Sequence, residues 1–368
     1  MNRRLRERAL GIGVSAASMV LVAALAAILV SASGVSPSSA ASTFWQGSFG
    51  TLSNLGQTLT RAVPLTLVAL AWIVSFRAGR IQVGYPGQIL IGGVACTVVA
   101  LHLGGMPKAV HLPLALGAGA VGGALWAGVA AWLWVRRGVQ EIVSTLLLNL
   151  VAAQVVAWLL RGPLQQQGGG EPQSDLFTAS SLWPRVPGVE GLTLSWSVVL
   201  IPLLVTALVL VVRHTSVGFR LRLVGANPTA ARWAGYRPER VGVGAMVVGG
   251  LLAGLAGATI LLAGDSPGMA EGFEAQYGFD GIAVALLARN SPVGAVLGAI
   301  FFSALEVGSS SVEAVMNVPS TVASVLQGLI IILVLVTTTV LRRRRRADVV
   351  DEEPALTAAH PRSPLAEV

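Results

Sequence analysis

Ten apolar runs separated by short polar stretches decide what this chain can fold into: 9–30, 62–76, 88–103, 112–135, 142–160, 195–212, 241–263, 277–288, 293–310 and 320–341. A bilayer core about 30 Å thick is crossed by roughly 20 apolar residues in α-helix. In hydrocarbon the backbone must satisfy its own hydrogen bonds, and a helix does so within one segment. The pattern predicts an all-α fold, a polytopic transmembrane helical bundle of about ten spans (8–10). Both termini are expected in the cytoplasm, and short or broken helices in the core. Runs 62–76 and 277–288 are too short to cross comfortably. They are tilted, extended by their neighbours, or broken around a solute path, as short Gly- and Pro-flanked segments are in transporters. The first run follows the basic Met1–Arg8 and is longer than the roughly 7–15 residues of a signal-peptide core, so it reads as a retained span.

Charge sets the orientation. With the amino terminus inside, 21 of the 25 Lys and Arg residues fall on the cytoplasmic side, leaving Arg61, Lys108, Arg161 and Arg185 outside. That asymmetry is what the positive-inside rule requires. The net charge of +8 invites a nucleic-acid reading, but these arginines punctuate apolar runs instead of lining one face, so no nucleic-acid partner is expected. Only 11% of residues are charged, against about a quarter in soluble domains. The lone Cys96 and four scattered histidines offer neither a disulfide framework nor a metal site. The sole lysine, Lys108, follows Met106-Pro107, so a GxxxxGK phosphate loop is absent. No cluster of acid, base and nucleophile suggests an enzyme, and no cofactor is expected in this chain. If transport is ATP-driven, ATP and Mg belong to a partner ATPase.

Between two of the apolar runs lies a cationic island, 213–240, with six arginines against the single acid Glu239. Inside it Asn227-Pro228 reads as a helix start, Asn capping and Pro first in the helix. Gly235 reads as the carboxy-terminal stop. A helix of about seven residues is marginal alone and needs something to dock against. Asn227, Ala230, Ala231, Trp233 and Gly235 are the candidate coupling residues, with Trp233 as apolar anchor and the alanines leaving room for close approach.

Two Gly-rich stretches look paired: Phe76 to Gln88, and Gln276 to Gly294. In the first, Gly84, Pro86 and Gly87 break helical continuity, and Gln82 and Gln88 can hydrogen-bond a polar solute. In the second, Asp280 sits near the start of a short apolar run, where a carboxylate caps free N–H groups or meets a ligand. Asn149 and Glu306 are polar groups in apolar runs and should face the bundle interior. Gln82, Gln88, Asn149 and Asp280 are the candidate solute-path residues. Gly119-x-x-x-Gly123 and Gly250-x-x-x-Gly254 read as packing glycines.

Assembled in order, these stretches resemble the branched permease family of ABC importers for simple sugars, nucleosides and branched-chain amino acids. The resemblance is nearest to the nucleoside and simple-sugar branch served by basic-membrane-lipoprotein-type binding proteins. It is carried by Phe76-Arg-Ala-Gly, Gly84-x-x-Gly-Gln88-x-Leu-Ile-Gly92, and Gly138-Val-x-Glu-Ile-Val-Ser-Thr-x-x-Leu-Asn149. Val224-Gly-Ala-Asn-Pro-x-Ala-Ala-Arg232 and Tyr277-Gly-Phe-Asp-Gly-Ile-Ala-Val-Ala-Leu-Leu287 extend it. Thr229-Ala-Ala-x-x-x-Gly235 is similar to the cytoplasmic "EAA…G" segment of such permeases, with Thr in place of Glu. Where many relatives read Phe-Asn-Ile-Gly-Ala-Glu-Gly-Gln, this chain has Gln82 for Asn and Pro86 for Glu. The resemblance implies an ATP-driven permease subunit importing a nucleoside-like solute by alternating access, with a pentose or other simple sugar as the alternative. It implies an ABC ATP-binding subunit, a second and related permease chain, an exterior solute-binding lipoprotein, and a place in the plasma membrane. A stand-alone secondary transporter or channel would need no dockable island. The expected organisation is a cytoplasmic tip with the first span (1–31), an exterior segment (32–61) and a permease domain (62–341). The permease domain holds an exterior loop (161–194) and the coupling loop (213–240). A basic tail without stable structure (342–368) follows, its arginines anchoring on membrane lipid headgroups.

Overall fold

The computed structural model describes residues 34–316 except 167, 169–170, 189–190, 265–267 and 274–275, with isolated positions at 24, 28, 31, 325 and 328. The expected spans 9–30 and 320–341 and the tail 342–368 lie outside the described residues. The chain divides into two units, 1–44 with 309–368, and 45–308. In the first, Ala40 and Val312 are buried together beneath Val35, Phe44 and Met316.

Helix α1 is Pro37–Phe49. In α2, Leu52–Arg77, Thr51 caps the start by accepting from the Asn54 amide at 3.1 Å. The short run 62–76 is thus the inner part of a 26-residue helix. The chain continues through α3 (Tyr85–His102), α4 (Lys108–Arg137) and α5 (Glu141–Leu160). A 3-10 turn, Trp196–Val199, leads into α6 (Leu200–His214). The cationic island then folds as α7 (Ser216–Ala226) and the six-residue α8 (Pro228–Trp233), before α9 (Pro238–Ala263). Helices α10 (Gln276–Leu287) and α11 (Pro292–Met316) follow. Among the described residues seven stretches are long and apolar enough to cross a membrane, the 3-10 turn and α6 counting as one.

At 12 residues, α10 is about 18 Å long, too short to cross on its own, in keeping with the shortness of run 277–288. Arg61, expected on the exterior side, lies in the first half of α2, which runs across the 61/62 limit of the expected exterior segment.

Helices α2 and α9 form the core, with 78% and 72% of their apolar 18-residue stretches buried, against 22% for α5 and for the 3-10 turn with α6. The rim helix α5 exposes Leu147, Leu150 and Trp158, as a lipid-facing helix does. Helices α3, α4 and α9 meet on glycine. A Cβ on Gly123 would lie 2.3 Å from the Gly250 oxygen, and one on Gly92 would lie 2.4 Å from the Gly254 Cα. The two small-residue motifs pack on each other because no side chain separates their backbones. After α2 the chain turns at Gly79 (φ +71) and runs without helix to Gly84. The far end of α10 is pinned beside this turn: Trp72 Nε1 donates to Asn290 Oδ1 at 3.1 Å, and Arg77 Nη2 to the Asn290 oxygen at 3.3 Å.

Candidate functional site

The break between α2 and α3 gathers three of the four predicted solute-path residues. Gln82 Nε2 donates to Ser75 Oγ at 2.9 Å, and Gln88 Nε2 to Gln82 Oε1 at 3.2 Å. Both glutamines are closed off, at 0% and 1% exposure. Asn149 of α5 spans the break: its Nδ2 donates to the Val83 oxygen at 2.9 Å, and its Oδ1 accepts from the Gly87 amide at 2.9 Å. Thr145 accepts from the Val83 amide at 3.2 Å. These bonds replace the intrahelical partners that a broken helix loses. Among the described residues, buried polar atoms without a hydrogen-bond partner cluster here, Gln88 Oε1 and Trp126 Nε1 among them. The fourth residue, Asp280, stands on a separate element. It is the fifth residue of α10.

About 24 Å along α2 from its Arg77 end, at the level of Arg61, a cavity of about 420 Å³ opens between α2, α9, α10 and the segment before α10. Gln57, Thr60 and Arg61 line one side, and Thr259, Phe273 and Tyr277 the other. Arg61 Nη1 donates to Glu306 Oε1 at 2.5 Å, and the Tyr277 hydroxyl to both Glu306 oxygens at 2.8 and 2.9 Å. Glu306 does face inward, as expected of a carboxylate in an apolar run, and α2 and α10 supply its partners. Arg161, at the end of α5, grips the lining residue Glu271 with two hydrogen bonds of 3.0 and 2.6 Å. Sequence reading missed this cavity. Its one legible signal was Glu306, whose burial demanded a cation.

At the Arg77 end lies the short helix. Asn227 Oδ1 accepts from the Thr229 and Ala230 amides, each at 3.0 Å, and Pro228 is the first helical residue. Gly235 takes the left-handed conformation (φ +82). The Tyr236 amide reaches back to the Ala231 oxygen at 3.0 Å, closing the carboxy-terminal cap. Trp233 is 88% exposed and Ala231 0%. Ala231 is buried and holds the helix to its own chain, whereas Ala230 and Trp233 are exposed. The preceding helix contacts the α2–α3 break through backbone. A Cβ on Gly225 would lie 2.2 Å from the Arg77 oxygen, and one on Gly79 would lie 3.3 Å from the Gly225 Cα.

The chain is similar to several characterised proteins. It shares 39% identity with the glucose ABC transporter permease TsgB13 of Haloferax volcanii, over 75% of this chain and 74% of that one. It shares 31% identity with the guanosine ABC transporter permease NupP of Bacillus subtilis, over 85% and 90%. The nucleoside ABC transporter permease NupB of Lactococcus lactis is 27% identical, over 83% and 86%. Each of these organisms also has a second similar permease, at 26%, 25% and 26% identity respectively. No solved structure matches the chain. Residues 54–335 match the family described as the branched-chain amino acid transport system permease component. With seven helices long and apolar enough to cross, the chain belongs to that family and is a multi-pass, plasma-membrane permease component of an ABC transporter.

Proposed function

We propose that this permease imports a nucleoside-like solute, and that a separate ATP-binding subunit drives it by docking on α8. The observation that carries the docking is Trp233, a large apolar side chain held 88% exposed on a helix capped at both ends. Exposed aromatic anchors of this kind dominate protein interfaces. The docked face is the cytoplasmic one, where ATP is, so the cavity at Arg61 faces outward toward a solute-binding lipoprotein. A second permease chain completes the pore. The paired relatives in all three organisms support this. Gln82, Gln88, Asn149 and Asp280 border the path between the two faces. Alternating access moves the α2–α3 break, because Gly225 and Gly79 bring the docking helices into backbone contact with it.

Nucleoside cargo is supported by the extent of likeness to the guanosine permease, which spans 90% of that protein. Hexose is the second reading, favoured by the 39% identity to the glucose permease. Binding of guanosine, uridine, ribose and glucose to the cognate exterior binding protein separates them. Nucleoside binding is expected, and glucose binding alone would select the second reading. Trp233→Ala is expected to weaken association with the ATP-binding subunit by at least about 2 kcal/mol, roughly thirtyfold. Undiminished co-purification and uptake would rule out α8 as the dock and leave Trp233 as a membrane-interface anchor.

A further inference from the structure

We infer that the cavity at Arg61 is a solute site in its own right, where an uncharged, hydroxyl-bearing ring compound first lodges in the chain. The ring is the sugar part of a nucleoside or a free sugar. The inference rests on the importer reading above and adds a place and a set of groups to it. The volume, about 420 Å³, lies in the range of small-molecule sites, about 300–1,000 Å³. The buried glutamines at the α2–α3 break, at 0% and 1% exposure, cannot meet a solute before the bundle moves. The cavity can.

Its electrostatics select against charge. The two charged side chains among the described lining residues, Arg61 and Glu271, are each in an ion pair, with Glu306 and Arg161. A nucleotide or a zwitterionic amino acid would have to break one of these pairs to find a countercharge, and a partly buried charge left unpaired is costly. A neutral solute leaves both pairs intact. It still finds polar partners. The Gln57 amide, half-buried on the cavity wall, makes no hydrogen bond among the described residues and offers both a donor and an acceptor. Thr193, half-buried, gives its proton to the Ser53 oxygen at 2.7 Å and keeps oxygen lone pairs to accept a solute hydroxyl. Phe273 and Tyr277, both largely buried, add aromatic surface against which the apolar face of a sugar or a base can pack.

The test uses the complete importer in proteoliposomes, this chain with its ATP-binding subunit, partner permease and binding protein. The probes are guanosine, ribose, glucose, leucine and GMP. ATP-dependent uptake of one or more of the three neutral compounds is expected, without leucine or GMP, and which neutral compound is taken up identifies the source. For that compound, Gln57→Leu is expected to raise the KM about tenfold, as loss of one to two solute hydrogen bonds does. Thr193→Val, nearly the same shape, should raise it several-fold, with the ATP-binding subunit still co-purifying. An unchanged KM in both variants would overturn the site while leaving the importer standing. Uptake of leucine or GMP in place of the neutral compounds would overturn the assignment of class. ATP-dependent uptake of none of the five would overturn the importer reading, and the site with it.

Discussion

Asn149 and Gln88 sit a few ångströms apart around one break in the backbone and differ in what they have left to give. Both ends of the Asn149 amide are spent on backbone, the Val83 oxygen and the Gly87 amide. Leucine there would leave two backbone groups bare in a part-buried site, at about 1–3 kcal/mol each. Asn149→Leu is therefore expected to lower the melting temperature of the purified protein clearly. Gln88 spends only its Nε2, on the Gln82 Oε1, and keeps its own Oε1 unpartnered among the described residues, so Gln88→Leu should lower melting less than Asn149→Leu and reduce uptake while the complex still assembles. Equal melting of the two variants would break the distinction, and wild-type uptake by Gln88→Leu would remove it from the path. The sequence made both residues legible as polar groups in apolar surroundings. It could not say which amide was already spent, because the partner of Asn149 lies 62 and 66 residues away along the chain.

Among elements, α7 and α8 show how far local chemistry reaches. Asn227, Pro228 and Gly235 are cap signals with fixed geometry, and all three act as read. A side chain at Gly235 meets open space, so Gly235→Val costs only the left-handed strain, about 1–2 kcal/mol. Gly225 is the opposite case. Its φ is unremarkable for a helix, but any Cβ collides with the Arg77 oxygen. Gly225→Val is expected to push α7 off the turn that carries Gln82. ATP hydrolysis by the assembled complex should continue while uptake falls at least tenfold, measured on the same preparation. Coupled uptake at the wild-type ratio would show that the contact transmits nothing. The face of α8 was not legible: six residues make too few turns to reveal a buried stripe, so the burial of Ala231 beside the exposed Trp233 appeared only when α8 was seen against its neighbours.

On the scale of the whole molecule, the orientation proposed here puts α8 inside and the cavity outside. In a Cys96→Ala background, cysteines introduced at Glu171 and at Ala230 report on the two faces. A membrane-impermeant maleimide added to intact cells should modify the first and spare the second. Modification of position 230 from outside would invert the proposed topology. The short α10 makes this measurement necessary, because span counting relies on strict alternation and a 12-residue helix is too short to count as a span by length.

The sequence by itself determined the class of the protein. Apolar runs of bilayer length leave a chain few options but helices, charge asymmetry orders them, and cap residues mark where a short helix begins and ends. These are local or additive properties, and the residues that express them are contiguous. Only the tertiary structure decided what the interior does. Arg61, Tyr277 and Glu306 come from three helices and meet because each charge or hydroxyl needs a partner that no neighbour in sequence supplies. The same holds for the glycines of α3, α4 and α9, whose close approach is a relation between backbones and not a property of any one of them. A cavity, likewise, is written in no single segment; it is the space these long-range pairings leave unfilled.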